Sequence, residues 1–139
     1  MRSPSLIMPP QWEPVTTVVA AVIELDGRIL IAQRQANGRH PLKWEFPGGK
    51  VEAEETPEQA VVRELAEELA IQARIDREIM RYEYQYSTGS PILLIFYRIV
   101  DFTGEPQNLQ FEQIRWETPD CLSDYDFLEG DREFLRKYP

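Results

Sequence analysis

Residues 56–69 read TPEQAVVRELAEEL, an amphipathic helix whose start is spelled out in its first four letters. Thr56 is a natural N-cap, Pro57 a first-turn proline and Gln59 the partner that closes a capping box. Val62, Leu65, Ala66 and Leu69 recur at i, i+3, i+4, i+7, which predicts one apolar stripe, with Glu64, Glu67 and Glu68 together on the other side. Any fold for this chain must therefore offer a surface to receive that stripe. Seven glutamates and one arginine fall between Glu52 and Glu68. Glu64 and Glu68, one turn apart with no lysine to relieve them, disfavour an isolated helix by roughly 0.2–0.5 kcal/mol. Two readings follow: a solvated acidic face, or a site for a hard divalent cation such as magnesium, which takes few protein ligands and fills its shell with water and phosphate.

The residues just upstream favour the second reading. Phe46, Pro47, Gly48 and Gly49 form a tight-turning segment whose glycines let backbone approach a ligand, and Lys50 adds a point charge suited to phosphate.

Gly49, Glu55, Arg63, Glu64, Leu65, Glu67, Glu68 and Ile71 stand at the spacing of the Nudix box, GX5EX7REUXEEXGU, where U is aliphatic. The one departure is Ala70 in place of glycine; a left-handed helix terminus there costs a residue with a β-carbon roughly 1 kcal/mol. With WEFPGGKVE ahead of the helix, the chain resembles the MutT-type branch, the nucleoside triphosphate pyrophosphohydrolases.

Length and composition agree with one soluble domain. The chain has 139 residues, 42% hydrophobic and 28% charged. A formal charge of −9 argues against a nucleic-acid polymer as partner, and the proline-broken N-terminus offers neither a signal peptide nor a membrane span. Residues 1–14 hold four of the eleven prolines and are expected as a loose arm before a domain at 15–139. The single cysteine, Cys121, excludes an internal disulfide, fits a reducing cytoplasm and reads as a structural thiol.

Along the chain, VVAAVI at 18–23 predicts a strand buried on both faces. Asp26-Gly27 predicts a type I′ hairpin turn to a partner strand at 28–35. Trp44 and Phe46 bracket the glycine-rich turn, where they either pack in the core or stack on a base. Residues 73–87 and 91–102 predict a second hairpin around Thr88, Gly89 and Ser90, with Tyr82, Tyr84 and Tyr86 on one face. Ile114 to Trp116 makes a short strand, Thr118-Pro119 a helix start, and a closing helix is expected from about Asp131. These residues alone give an α+β fold.

The resemblance implies more: a Nudix α/β/α sandwich with a mixed central sheet, the catalytic helix on one face and the C-terminal helix on the other. It implies Mg2+, with Mn2+ as an alternative, held by Glu64, Glu67 and Glu68 with help from the Gly48 carbonyl. It assigns Arg34 and Lys50 to substrate phosphates, and Glu112 as a further ligand or the base that activates water. Arg63 and Glu55 are expected to form an ion pair that holds the loop bearing Gly49 on the helix. Asp131, with Phe46, Tyr84 and Tyr86, is expected in the base pocket; an ionised aspartate accepts only and suits a base edge that presents donors. The implied reaction converts a nucleoside triphosphate, 8-oxo-dGTP first and cytidine nucleotides second, to monophosphate and pyrophosphate. Other nucleoside diphosphate-linked substrates, a non-catalytic nucleotide sensor, and an acidic interaction domain are the alternatives. The oligomeric state, monomer or homodimer, is left open.

Overall fold

The computed structural model describes residues 15–87 and 89–138; the expected N-terminal arm lies outside them, as does Thr88 of the second turn. Strand β1 (Thr16–Leu25) turns back through Asp26 and Gly27, both at positive φ (52° and 77°), into β2 (Arg28–Gln33). This is the I′ geometry that the Asp-Gly pair predicts. Past the turn the two strands part. β2 takes β3 (Trp44–Glu45) and, on its other edge, β7 (Gln113–Glu117); β1 takes β4 (Gly48–Lys50) and runs parallel to β6 (Ile92–Thr103). The Phe46-Pro47 corner fills the fork, where the Ala21 amide donates to Pro47 O at 2.7 Å. The edge strand β5 (Gln72–Tyr84) pairs antiparallel with β6, giving a mixed seven-stranded sheet of order β3-β2-β1-β6-β5.

Alternation along β1 builds two cores. Val19, Ala21 and Ile23 face the long helix α1 (Pro57–Leu69), while Ala20 and Val22 face the closing helix α2 (Glu129–Lys137). The α/β/α sandwich follows from this two-residue period. Phe96 and Phe134 stack at 4.3 Å, and Phe46 packs edge-on against Phe134 at 5.3 Å, fixing α2 over its face of the sheet. Among the described residues, no helix is long and apolar enough to cross a membrane.

The start of α1 follows the sequence: Thr56 caps the Gln59 amide at 3.1 Å and Gln59 returns a bond to the Thr56 amide at 2.9 Å. Its rotation does not. Ala60, Val61, Leu65 and Leu69 are buried, whereas Val62 is half-buried and Ala66 exposed. The stripe is turned toward Val61, which carries Glu68 to the buried side at 1% exposure. Ala70 adopts the left-handed conformation (φ 58°, ψ 35°), so the missing glycine leaves the geometry unchanged and strains the residue. Thr118 precedes a 3-10 turn (Pro119–Asp124) rather than an α-helix. The closing helix begins two residues before Asp131, whose backbone amide donates to Leu128 O, so Asp131 lies inside the first turn and is not its cap.

Candidate active site

The glycines of β4 allow a close fit between strand and helix. A Cβ on Gly48 would collide with the Val19 carbonyl, and one on Gly49 would lie 2.6 Å from the Glu64 carboxylate. With no side chain in the way, Glu64 passes over Gly49, and the Gly48 amide donates to Glu68 Oε1 at 3.2 Å. Arg63 clamps the assembly. Its Nε and Nη2 hold Glu55 at 2.7 and 3.0 Å, Nη1 reaches Glu64 at 2.8 Å and Glu67 at 3.0 Å, and Nη2 also donates to the Lys50 carbonyl at 3.1 Å. Glu55 in turn accepts from the Glu52 amide at 2.9 Å. These bonds, above all the paired contact from Arg63, hold the Glu55 carboxyl below its ordinary range.

Glu64 and Glu68 are the acids that this framework brings together. Burial, the Glu64 carboxyl beside it and the charge of Glu45 push Glu68 well above the usual carboxylate range, against the opposing Gly48 amide. Two carboxyls so placed share a proton or a cation. Among the described residues no group of three acids converges as a ready metal cage. The oxygen-only pair, with an open cavity beside it, suits a hard divalent ion that keeps most of its water. Glu67 stands apart: its side chain is 58% exposed, and it is drawn to Arg63. The Arg63 cluster is also where the relief expected for the Glu64–Glu68 repulsion is found in part, through Nη1.

One cavity of about 560 Å³ runs past this pair, and its walls include Gly48, Lys50, Arg34, Phe46, Tyr86 and Asp131. A volume of that size holds a nucleotide-sized ligand. Asp131 is 5% exposed; burial and the nearby Glu45 push its carboxyl up to about 8, against the Phe46 amide and Arg34. This favours the protonated carboxyl, which presents one donor and one acceptor, where an ionised carboxylate only accepts. Tyr86 reaches the start of α2 by accepting from the Gly130 amide at 3.1 Å, which only a glycine leaves room for, since a Cβ there would lie 2.5 Å from the hydroxyl. Phe46 is both wall and core, packed on Phe96, Phe127 and Phe134.

Three expected residues are not brought to the cavity. Tyr84 donates to Glu129 at 3.1 Å outside it, Glu67 turns to Arg63, and Glu112 is exposed, its backbone amide bound to Gln33 O. Tyr82 packs on Phe96 and bonds the backbone of Gly130 and Phe134, a fastening for α2.

Three residues that sequence reasoning passed over line the cavity. Glu45 pairs with Arg34 at 3.1 Å, and its carboxyl is raised by burial, opposed by Arg34. A lone acid on an alternating strand next to the glycine turn was its signal. His40, at φ 52°, lies against Tyr86 with ring centroids 5.0 Å apart. Gln110 reaches Glu68 from the loop between β6 and β7, at 3.4 Å.

A glycine-backed acidic helix packs against a mixed sheet and borders a cavity lined by the cationic side chains of Arg34 and Lys50. The chain belongs to the Nudix family: the model of the NUDIX domain matches residues 13–138, and the protein is a Nudix pyrophosphohydrolase. A CTP pyrophosphohydrolase of Escherichia coli (strain K12) is 39% identical over 87% of this chain and 89% of its own length. An 8-oxo-dGTP diphosphatase of Haemophilus influenzae is 32% identical over 88% and 90%. The solution structure of the E. coli ORF135 protein superposes with a TM-score of 0.83 at 37% identity, covering 94% of this chain and 92% of that one.

Proposed function

We propose that this protein hydrolyses (deoxy)nucleoside triphosphates to nucleoside monophosphate and pyrophosphate with a divalent cation, Mg2+ or alternatively Mn2+, and that cytosine nucleotides are its preferred class. The observation that carries this reading is the presence, in one cavity, of the Glu64–Glu68 pair and a buried Asp131, whose carboxyl is pushed up to about 8 by burial and Glu45. A neutral carboxyl offers one donor and one acceptor, which complements the amino group and adjoining ring nitrogen of cytosine. The amino group and adjoining ring nitrogen of adenine offer the same pattern, whereas the N7/O6 edge of guanine presents two acceptors. The relative named CTP pyrophosphohydrolase supports the same choice.

Glu64 and Glu68, with the Gly48 carbonyl, would hold the metal, which supplies charge neutralisation on the phosphates and a lowered pKa for bound water. The chain's own groups do the rest. Arg34 and Lys50 face the cavity and offset phosphate charge. Arg63 keeps Glu64 aimed, through the 2.8 Å contact, and touches no substrate itself. Glu45 holds Arg34 in place from below. Water adds to one phosphorus of the α–β anhydride as its bond to the bridging oxygen breaks, that oxygen leaves with the other fragment so that monophosphate and pyrophosphate result, and the proton of the water passes to solvent.

An oxidised purine is the second reading. The relatives named 8-oxo-dGTP diphosphatase, 32% and 35% identical, support it, and the N7 hydrogen of 8-oxoguanine restores the donor that guanine lacks there. Steady-state kcat/KM for CTP, dCTP, ATP, GTP and 8-oxo-dGTP separates the two. Cytosine nucleotides are expected to lead the panel, and Asp131→Ala to flatten it. Equal values for all bases, unchanged in that variant, would contradict the pocket assignment.

A further inference from the structure

The loop that joins β6 to β7 decides which of its residues faces the acidic pair. α1 has no basic residue in its last turn to meet its final carbonyls. The loop meets them instead: the Gln107 amide donates to Leu69 O at 2.9 Å and the Leu109 amide to Glu68 O at 3.1 Å. Asn108 then folds the chain on itself, accepting from the Phe111 amide at 2.7 Å and the Gln110 amide at 3.3 Å while donating to Phe111 O at 2.9 Å. Beyond it, Phe111 is buried in the α1 core and the Glu112 amide is tied to Gln33 O at 2.8 Å. Between these pins the Gln110 side chain is turned into the cavity with Nε2 3.4 Å from Glu68 Oε2, and Glu112 is left in solvent.

We infer that Gln110, not Glu112, is the positioning residue of this loop: a neutral amide that steers Glu68 and leaves the divalent-cation site one negative charge short of what a loop acid would give. The inference rests on the metal-dependent reading above. Glu45, Glu64 and Glu68 already line the one cavity, with Glu64 and Glu68 one helical turn apart. An acid at position 110 would add a fourth charge at bonding distance from Glu68. An amide donates to the same oxygen and adds none. The affinity of an oxygen-ligand site follows its charge count, so the resident glutamine sets a weak, exchangeable site that is completed when phosphate arrives.

The test is calorimetric titration of Mn2+ into nucleotide-free protein, for the parent, Gln110→Glu, Gln110→Ala and Glu112→Gln, with KM and kcat measured beside it. Gln110→Glu is expected to bind Mn2+ about fivefold or more tightly, as an added charged ligand would. Gln110→Ala is expected to lower kcat with KM for nucleotide little changed, and Glu112→Gln to match the parent in both readouts. A loss of Mn2+ affinity in Glu112→Gln, or parent-like Mn2+ affinity in Gln110→Glu, overturns the assignment of Gln110. Turnover that needs no divalent ion, with Mn2+ binding to none of the four proteins, contradicts the metal-dependent reading instead.

Discussion

The Glu64 carboxylate occupies the space that a side chain at Gly49 would need, 2.6 Å from the Cβ position. Gly49→Ala therefore has to move Glu64, whose other oxygen contact is with Arg63. The atoms that must shift are the far end of a flexible side chain, so the cost falls on the placement of Glu64 more than on stability. The expected outcome is a folded protein with kcat reduced by an order of magnitude or more. Kinetics and thermal unfolding on the same sample check it; parent-like kcat would show that Glu64 need not sit there.

Arg63 donates five hydrogen bonds to four partners, and two of them form a fork on Glu55. A lysine keeps the charge and loses the fork. Arg63→Lys is expected to lower kcat by about tenfold or more, as misplacement of catalytic groups does, while binding nucleotide nearly as well as the parent. A KM effect with kcat intact would argue that Arg63 meets the substrate directly.

Ala70 ends α1 in the left-handed region at φ 58°. Ala70→Gly removes that strain, partly offset by the greater freedom of glycine in the unfolded chain. A net gain of about 0.5–1 kcal/mol is expected from urea unfolding, with activity unchanged.

Burial and the nearby Glu45 push the Asp131 carboxyl from its ordinary value of 3.8 up to about 8 in the folded protein. Because the folded value is raised, the folded state binds the proton more tightly. The associated stability is fully present below about pH 4 and is lost as pH rises toward 8, by at most about 1.4 kcal/mol per pH unit. Asp131→Asn removes this dependence. Urea midpoints measured at pH 5 and pH 8 without nucleotide are expected to differ less in Asp131→Asn than in the parent; equal differences would show that the carboxyl is ionised throughout.

The fold was legible where local chemistry acts alone. The Thr56–Gln59 box, the Asp26-Gly27 turn and the two-sided burial of β1 all follow from short-range rules, and each is present. The rotation of α1 was not legible, because Val61 and Val62 are equally apolar and only the facing sheet chooses between them. That choice buries Glu68 and separates it from Glu67. Position in a loop was equally hidden: Gln110 and Glu112 lie two residues apart, and the bonds from Asn108 and to the α1 carbonyls decide which one turns inward. The raised carboxyl of Asp131 depends first on burial and then on Glu45, more than eighty residues away in sequence, and both exist only once β3 and α2 are packed together.

The most direct measurement is product identification by 31P NMR after incubating the protein with CTP, with and without magnesium, beside Glu64→Gln and Glu68→Gln. The expected result is CMP and pyrophosphate in equal amounts, formed only with the divalent ion, with both variants slowed by at least about a hundredfold. Release of CDP and orthophosphate, or full activity in Glu68→Gln, would contradict the account.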